Sequence, residues 1–137
     1  MEKTLVLIKP DAVAAHHIGD IVKAYEDAGL TIHAMKMMQM TERIARIHYA
    51  EHLEKQFYGE LSAFMTSAPL VALVLAGENA IARVRELHGA TNPVNAAEGT
   101  IRKRFAKDGS ENAVHASDSP ESAAREISIF FSETEIF

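Results

Sequence analysis

The sequence predicts an α/β fold, one small sheet covered by helices, and three observations carry that expectation. Apolar runs of strand length recur at residues 4–9, 30–40 and 70–76. Between them, apolar residues return at three- and four-residue spacing, as amphipathic helices require. Glycine, proline or a hydroxyl residue punctuates most boundaries. The composition agrees: 137 residues, 47% apolar and 24% charged, is an ordinary globular balance, read as one domain over residues 1–137.

Residues 4–9 end at Pro10 and suit a buried strand. Ile18, Ile21, Val22 and Tyr25 recur at helical spacing, and Gly29 supplies the stop. Residues 30–40 partly alternate and read as a second strand, with Met35, Met37, Met38 and Met40 as packing filler rather than a metal site. Thr41 is placed to cap a helix running through Tyr49 and His52. Phe57, Leu61, Phe64 and Met65 form a further helical stripe. Residues 70–76, bounded by Pro69 and Gly77, are continuously apolar and mark a central strand buried on both faces. Ile81, Val84 and Leu87 give the next helix, closed by Gly89. Ser119-Pro120 begins a short helix, and the alternation of Ile127, Ile129 and Phe131 predicts a last strand. This order fits a split β-α-β, ferredoxin-like sheet with insertions. Residues 88–117 form a long connection without a period of their own, yet they hold Thr91, Arg102, Asn112 and His115. A long irregular segment in a compact domain is usually functional or disordered, and these polar side chains favour function.

Several function classes drop out. The chain has no cysteine, which removes disulfides, thiolate nucleophiles and cysteine zinc sites. No apolar run reaches the length of a membrane helix, and the start of the chain does not read as a signal peptide, so a cytoplasmic protein is expected. The net charge of −5 argues against a broad nucleic-acid-binding face but leaves room for a small basic pocket. Neither Gly-x-x-x-x-Gly-Lys-Ser/Thr nor Gly-x-Gly-x-x-Gly occurs. A protein of this kind that handles nucleotides must grip phosphate with side chains, for which the arginine fork is suited.

Residues 112–119 carry the most chemistry. His115 stands among small and apolar residues just before a capped helix. A neutral imidazole is a competent nucleophile near neutral pH and can carry a phosphoryl group, best when its other nitrogen is fixed by a carboxylate. Glu126, one short helix downstream, could fold back to do this. On local residues alone, a capping or surface role for His115 is the commoner reading. His48-Tyr49-Ala50-Glu51-His52 matches the His-x-x-Glu-His pattern of inverted zinc proteases, with both histidines expected on one helical face. The chain is short for such a protease and signals no third ligand. A helix with Tyr49 pointing inward is the plainer reading.

With these residues in view, the chain resembles the nucleoside diphosphate kinases along almost its whole length. The resemblance is carried by Ile8-Lys9-Pro10-Asp11, Tyr49-Ala50-Glu51-His52, Phe57-Tyr58-Gly59-Glu60-Leu61, Phe64-Met65-Thr66-Ser67, Gly89-Ala90-Thr91-Asn92-Pro93, Gly99-Thr100-Ile101-Arg102 and residues 112–119. It implies a four-stranded antiparallel ferredoxin-like sheet covered by helices, with an inserted helical hairpin and a long active-site loop. It also implies ping-pong transfer of the γ-phosphoryl group from a nucleoside triphosphate to a diphosphate, with His115 phosphorylated in between. Lys9, Arg85, Thr91 and Arg102 would hold the phosphates. Asn112 and Lys9 would bond the ribose, and Phe57 would stack on the base beside Leu61. Tyr49 would lie near His115, Glu126 would orient its ring, and Ser117 would support it. Mg2+ would arrive on the nucleotide phosphates, with no metal held by the protein alone. Self-association into a homo-oligomer, a tetramer or hexamer built from dimers, is also implied.

The chain departs from the family pattern at Lys103-Arg104, which add positive charge beside Arg102, and at Glu98, Gly109 and Ala116. Gly109 stands where an apolar side chain often covers the second face of the base. The departures at Lys103-Arg104 and Gly109 motivate the alternative of a non-catalytic, nucleotide-binding regulatory module of the same fold.

Overall fold

Alternation along a strand sends successive side chains to opposite faces, so a strand apolar throughout must lie between two covering layers. Two strands of this chain do so. In the computed structural model, which describes residues 1–137, β1 (Glu2–Ile8) and β3 (Leu70–Gly77) form the centre of a four-stranded antiparallel sheet. β2 (Thr31–Met38) and β4 (Val114–Ala116) are its edges, in the order β2-β3-β1-β4.

β1 and β2 each run antiparallel to β3, so they are parallel to one another with β3 inserted between them. β3 and β4 are related in the same way across β1. This is the split β-α-β arrangement that the order of elements predicts. α1 (Pro10–Ala14) and α2 (Ile18–Asp27) connect β1 to β2, while α3 (Glu42–His48) and α4 (Tyr58–Met65) form the helical insertion before β3. α5 (Ala80–His88) and α6 (Ile101–Phe105) precede β4, and α7 (Pro120–Phe130) follows it.

One core cluster joins Val6, Ile8, Val71, Leu73 and Leu75 to Ile21 and Tyr25 of α2 and Val84 of α5. The other joins Leu5, Leu7, Leu70, Ala72 and Val74 to Ala45, Met65 and Phe130 on the opposite face. Residues paired across antiparallel strands face the same side. Leu7 pairs with His115, so the register turns the His115 side chain toward the layer containing α3 and α7.

Four expectations are corrected. Ile127 and Ile129 belong to α7, not to a strand. Ser119 caps that helix by accepting from Ser122 N at 3.1 Å, and the helical period through Ala123, Glu126 and Phe130 continues to its end. The fourth strand is instead the three-residue β4, within the connection expected to be irregular, which also contains α6. Thr41 caps α3 as expected, but α3 stops at His48 and Ala50–His52 is a separate 3-10 turn. Of the four methionines read as filler, Met40 is buried, whereas Met35 and Met37 stand exposed on the edge strand.

Leu73 has no exposed surface and sits on the central strand. Leu73→Ala should therefore cost about 2–5 kcal/mol of stability, measured by urea denaturation. A loss below about 1 kcal/mol would mean that the sheet centre is not packed as described.

Candidate active site

His115 reaches its position through the backbone on both sides. The Lys9 N–H donates to Ala113 O at 2.8 Å, and Asp11 Oδ2 accepts from Ala113 N at 3.1 Å. Ala113 holds φ +74°, a conformation an alanine adopts only when its surroundings impose it. The segment around Lys9-Pro10-Asp11 thus clamps the turn from which β4 departs. After His115, Ser117 N donates to Leu5 O at 3.1 Å.

The ring is then oriented by a short polar chain. Leu5 N–H donates to Ser117 Oγ at 3.3 Å, Ser117 Oγ donates to Glu126 Oε1 at 2.6 Å, and His115 Nε2 lies 3.1 Å from the same oxygen. Burial alone would raise the Glu126 carboxyl. The hydrogen bond from His115, the charge of that ring whenever it is protonated, and the bond from Ser117 outweigh it and hold the group below its usual range. An ionised carboxylate only accepts, so Nε2 carries the ring proton. Nδ1 is left with a free lone pair, and a quarter of the side chain is exposed toward a cavity.

That cavity encloses about 550 Å³. Lys9, Tyr49, Phe57, Leu61, Arg85, Thr91, Arg102, Asn112, His115 and Glu126 all line it; of the eleven site residues that the family resemblance implies, only Ser117 stands behind the wall. Arg102 is anchored by donating to Asn112 O, Gly89 O and Val114 O at 3.3, 3.0 and 2.8 Å. Three of its five N–H groups are engaged, and two remain. Gly89 makes this possible: its φ is +82°, and a Cβ there would meet Thr100 at 2.6 Å.

Lys9 Nζ donates to Asn112 Oδ1 at 2.7 Å, while Asn112 Nδ2 donates to Thr91 O and Gly109 O. Burial and the neighbouring Arg102 lower the Lys9 ammonium to about 8, against the opposing pull of Asp11. Two cations crowded in a buried cleft favour an anion between them. At the mouth, Phe57 is half-exposed, with Leu61 one turn along α4. Gly109 lines the opposite side, where a Cβ would meet nothing within 4 Å. Lys103 and Arg104 do not join the cavity: Lys103 Nζ donates to Pro93 O at 3.4 Å, and Arg104 lies over the Phe105 ring.

Sequence reasoning missed three residues here. His48, buried, meets the His115 ring edge-on at a centroid distance of 5.0 Å. Arg125 donates to the carbonyls of Ile47 and His48 and so ties α7 to the end of α3. His88, fully buried, bonds the Tyr25 hydroxyl at 2.6 Å. Helical spacing could have suggested the inward face of His88, but no local signal pairs it with Tyr25. The break after His48 also removes the zinc-protease reading, since His48 and His52 do not share one helix.

A sequence model of the nucleoside diphosphate kinase family matches residues 2–136. The chain belongs to that family. A nucleoside diphosphate kinase of Clostridium perfringens is 56% identical over 131 residues, covering 96% of this chain and 92% of its own. Among solved structures, the Aquifex aeolicus nucleoside diphosphate kinase superposes with a TM-score of 0.97 at 45% identity, covering 99% of each chain. That of Halobacterium salinarum, in complex with CDP, gives 0.96 at 42% identity, over 99% of this chain and 91% of that one. The protein is accordingly a phosphotransferase, not a non-catalytic module, and its sheet is the family's. No helix is long and apolar enough to cross a membrane.

Burial holds the imidazoles of His48 and His88 neutral; His48 is lowered to about 3, further pressed by the charge of His115. A folded-state value depressed below the unfolded value of about 6.5 means that unfolding takes up protons once the pH falls under 6.5. Stability is complete above that pH and is lost as it falls toward 3, by up to about 1.4 kcal/mol per pH unit for each buried ring. Urea midpoints should therefore drop between pH 7 and pH 5.5. Equal midpoints would contradict neutral burial.

Proposed function

We propose that residues 1–137 act as one domain that exchanges γ-phosphoryl groups between nucleotides by a ping-pong mechanism through phospho-His115. The observation that carries this reading is the fixed His115–Glu126–Ser117 chain, which reserves Nε2 for the carboxylate and leaves Nδ1 unbonded on a ring that lines a cationic cavity. In the first half-reaction the Nδ1 lone pair attacks the γ-phosphorus. The bond to the β–γ bridging oxygen breaks, and the nucleoside diphosphate departs with its electron pair. The second half-reaction returns the phosphoryl group from Nδ1 to the terminal oxygen of another diphosphate.

Phosphoryl transfer asks mainly for alignment and charge stabilisation. Arg102, preset by three carbonyls, together with Arg85, Lys9 and the Thr91 hydroxyl supplies both to the phosphates. Asn112 and Lys9 reach the ribose hydroxyls, exchanging their mutual bond for bonds to the sugar. Phe57 stacks on the base beside Leu61. A single aromatic face accepts any base, and the open space at Gly109 leaves the other face to solvent. Burial, then Glu126 and Tyr58, raise the Tyr49 phenol, so Tyr49 stays neutral as a polar wall near His115. Glu126 is already occupied by His115 and Ser117, which favours Mg2+ carried by the nucleotide phosphates over a cage made of protein oxygens. On the phosphates, Mg2+ neutralises the negative charge. The Halobacterium salinarum relative, solved in complex with CDP, supports nucleotide binding by this chain. We assign the protein to the cytoplasm, as a homo-oligomer, tetramer or hexamer, built from dimers.

Incubation with MgATP should leave an acid-labile, base-stable phosphoryl adduct. His115→Asn should abolish the adduct and lower ATP-to-GDP exchange at least a thousandfold, with the circular dichroism of the wild type retained. An adduct that survives this substitution would refute the assignment.

A further inference from the structure

His48, His115 and Glu126 come from α3, β4 and α7, and one potential ligand atom of each lies within 4.8 Å of the other two. Nothing in the phosphoryl-transfer scheme uses His48. It is buried, and its Nδ1 makes no hydrogen bond. A buried imidazole nitrogen without a partner is costly to retain, and it is a good ligand for a borderline metal ion.

We propose that this triangle is a transition-metal site, for zinc or an ion of similar preference, whose occupation switches the enzyme off. Two imidazoles and one carboxylate are a zinc donor set, and the cavity side leaves a fourth position for water. Ligand atoms on a tetrahedral zinc stand about 3.4 Å apart. His115 Nε2 and Glu126 Oε1 are already 3.1 Å apart, so the widest pair must close by little more than an ångström. The His115 ring, a quarter exposed, has room to turn. The site differs from the Mg2+ that travels with the nucleotide, since magnesium prefers oxygen ligands and zinc favours imidazole. It differs also from the His48–His52 pairing suggested by the local sequence, because only His48 of that pair joins the triangle. With no cysteine in the chain, no thiolate site competes for the ion. Lys9 and Arg125, both lining the same cavity, oppose a second cation and keep the affinity moderate, so that the ion can leave.

A zinc ion seated there takes the Nε2 lone pair, so the ring proton shifts from Nε2 to Nδ1 and Glu126 turns from accepting that proton to ligating the ion; a ring protonated at Nδ1 has no lone pair left for phosphorus. The inhibition rests on His115 as phosphoryl carrier; the binding does not, and the two are read separately. Equilibrium dialysis against ZnCl2 should give one zinc per chain in the wild type, with His48→Gln and His115→Asn each losing that uptake at least tenfold. In wild type, zinc should slow phosphoryl-adduct formation from excess MgATP at least tenfold. A chelator selective for zinc over magnesium should restore the rate. In His48→Gln, the rate relative to its own zinc-free value should be unaffected. Uptake that persists in both variants, or no uptake by wild type, would overturn the site. Uptake lost in both variants without any effect on adduct formation would overturn the switch while leaving the site.

Discussion

Glu126 Oε1 takes a hydrogen bond from Ser117 and one from His115, and the remaining features of the cleft are arranged around that oxygen. The bond to His115 joins α7 to β4, and the bond between Ser117 and Leu5 extends the connection to the central strand β1. A carboxylate this deeply placed is costly unless its acceptor sites are filled. Filling them fixes which imidazole nitrogen carries the proton. The stability of the buried acid and the nucleophilicity of the ring thus have one cause. Arg125, one residue earlier on α7, fastens the same helix to the end of α3 and holds His48 behind the reactive ring.

The chain is acidic overall, yet the wall opposite His115 is cationic. Lys9 follows the central strand β1, Arg85 lies on α5 and Arg102 on α6, so three separate parts of the fold bring charge to one space. Hydrogen bonds offset part of their repulsion: Arg102 donates to three backbone carbonyls, and Lys9 to Asn112 Oδ1. Arg102, so anchored, keeps its place when the cleft is empty and needs little reorganisation when a polyanion enters. The same close approach explains Gly89, where any side chain would strike Thr100 and displace the carbonyl that anchors Arg102.

Much of this was legible in the sequence. The continuous apolar run of β3 could only be a doubly covered strand, and the Thr41 and Ser119 caps mark true helix starts. The end of the chain misled because the alternation of Ile127, Ile129 and Phe131 is a coincidence: the first two lie in a helix whose buried face is Ala123, Glu126 and Phe130, and Phe131 is its C-cap. β4 escaped because three residues are too few to show a period; its pairing is dictated by Val6–Ile8, more than a hundred positions away. All eleven site residues meet in or directly behind one cavity, but their order of contact is tertiary. Nothing local announces that Asp11 holds Ala113 in a left-handed turn, or that His48 backs His115. Lys103 and Arg104 show the converse: charge adjacent in sequence to Arg102 points elsewhere in space.

The central claim is that Glu126 reserves Nε2 of His115 and so directs the phosphoryl group to Nδ1. Phosphorus–nitrogen correlation NMR on 15N-histidine-labelled enzyme, phosphorylated with MgATP, reads that choice directly. The account predicts a single phosphohistidine with phosphorus coupled to Nδ1 of His115. Phosphorus on Nε2 would contradict it.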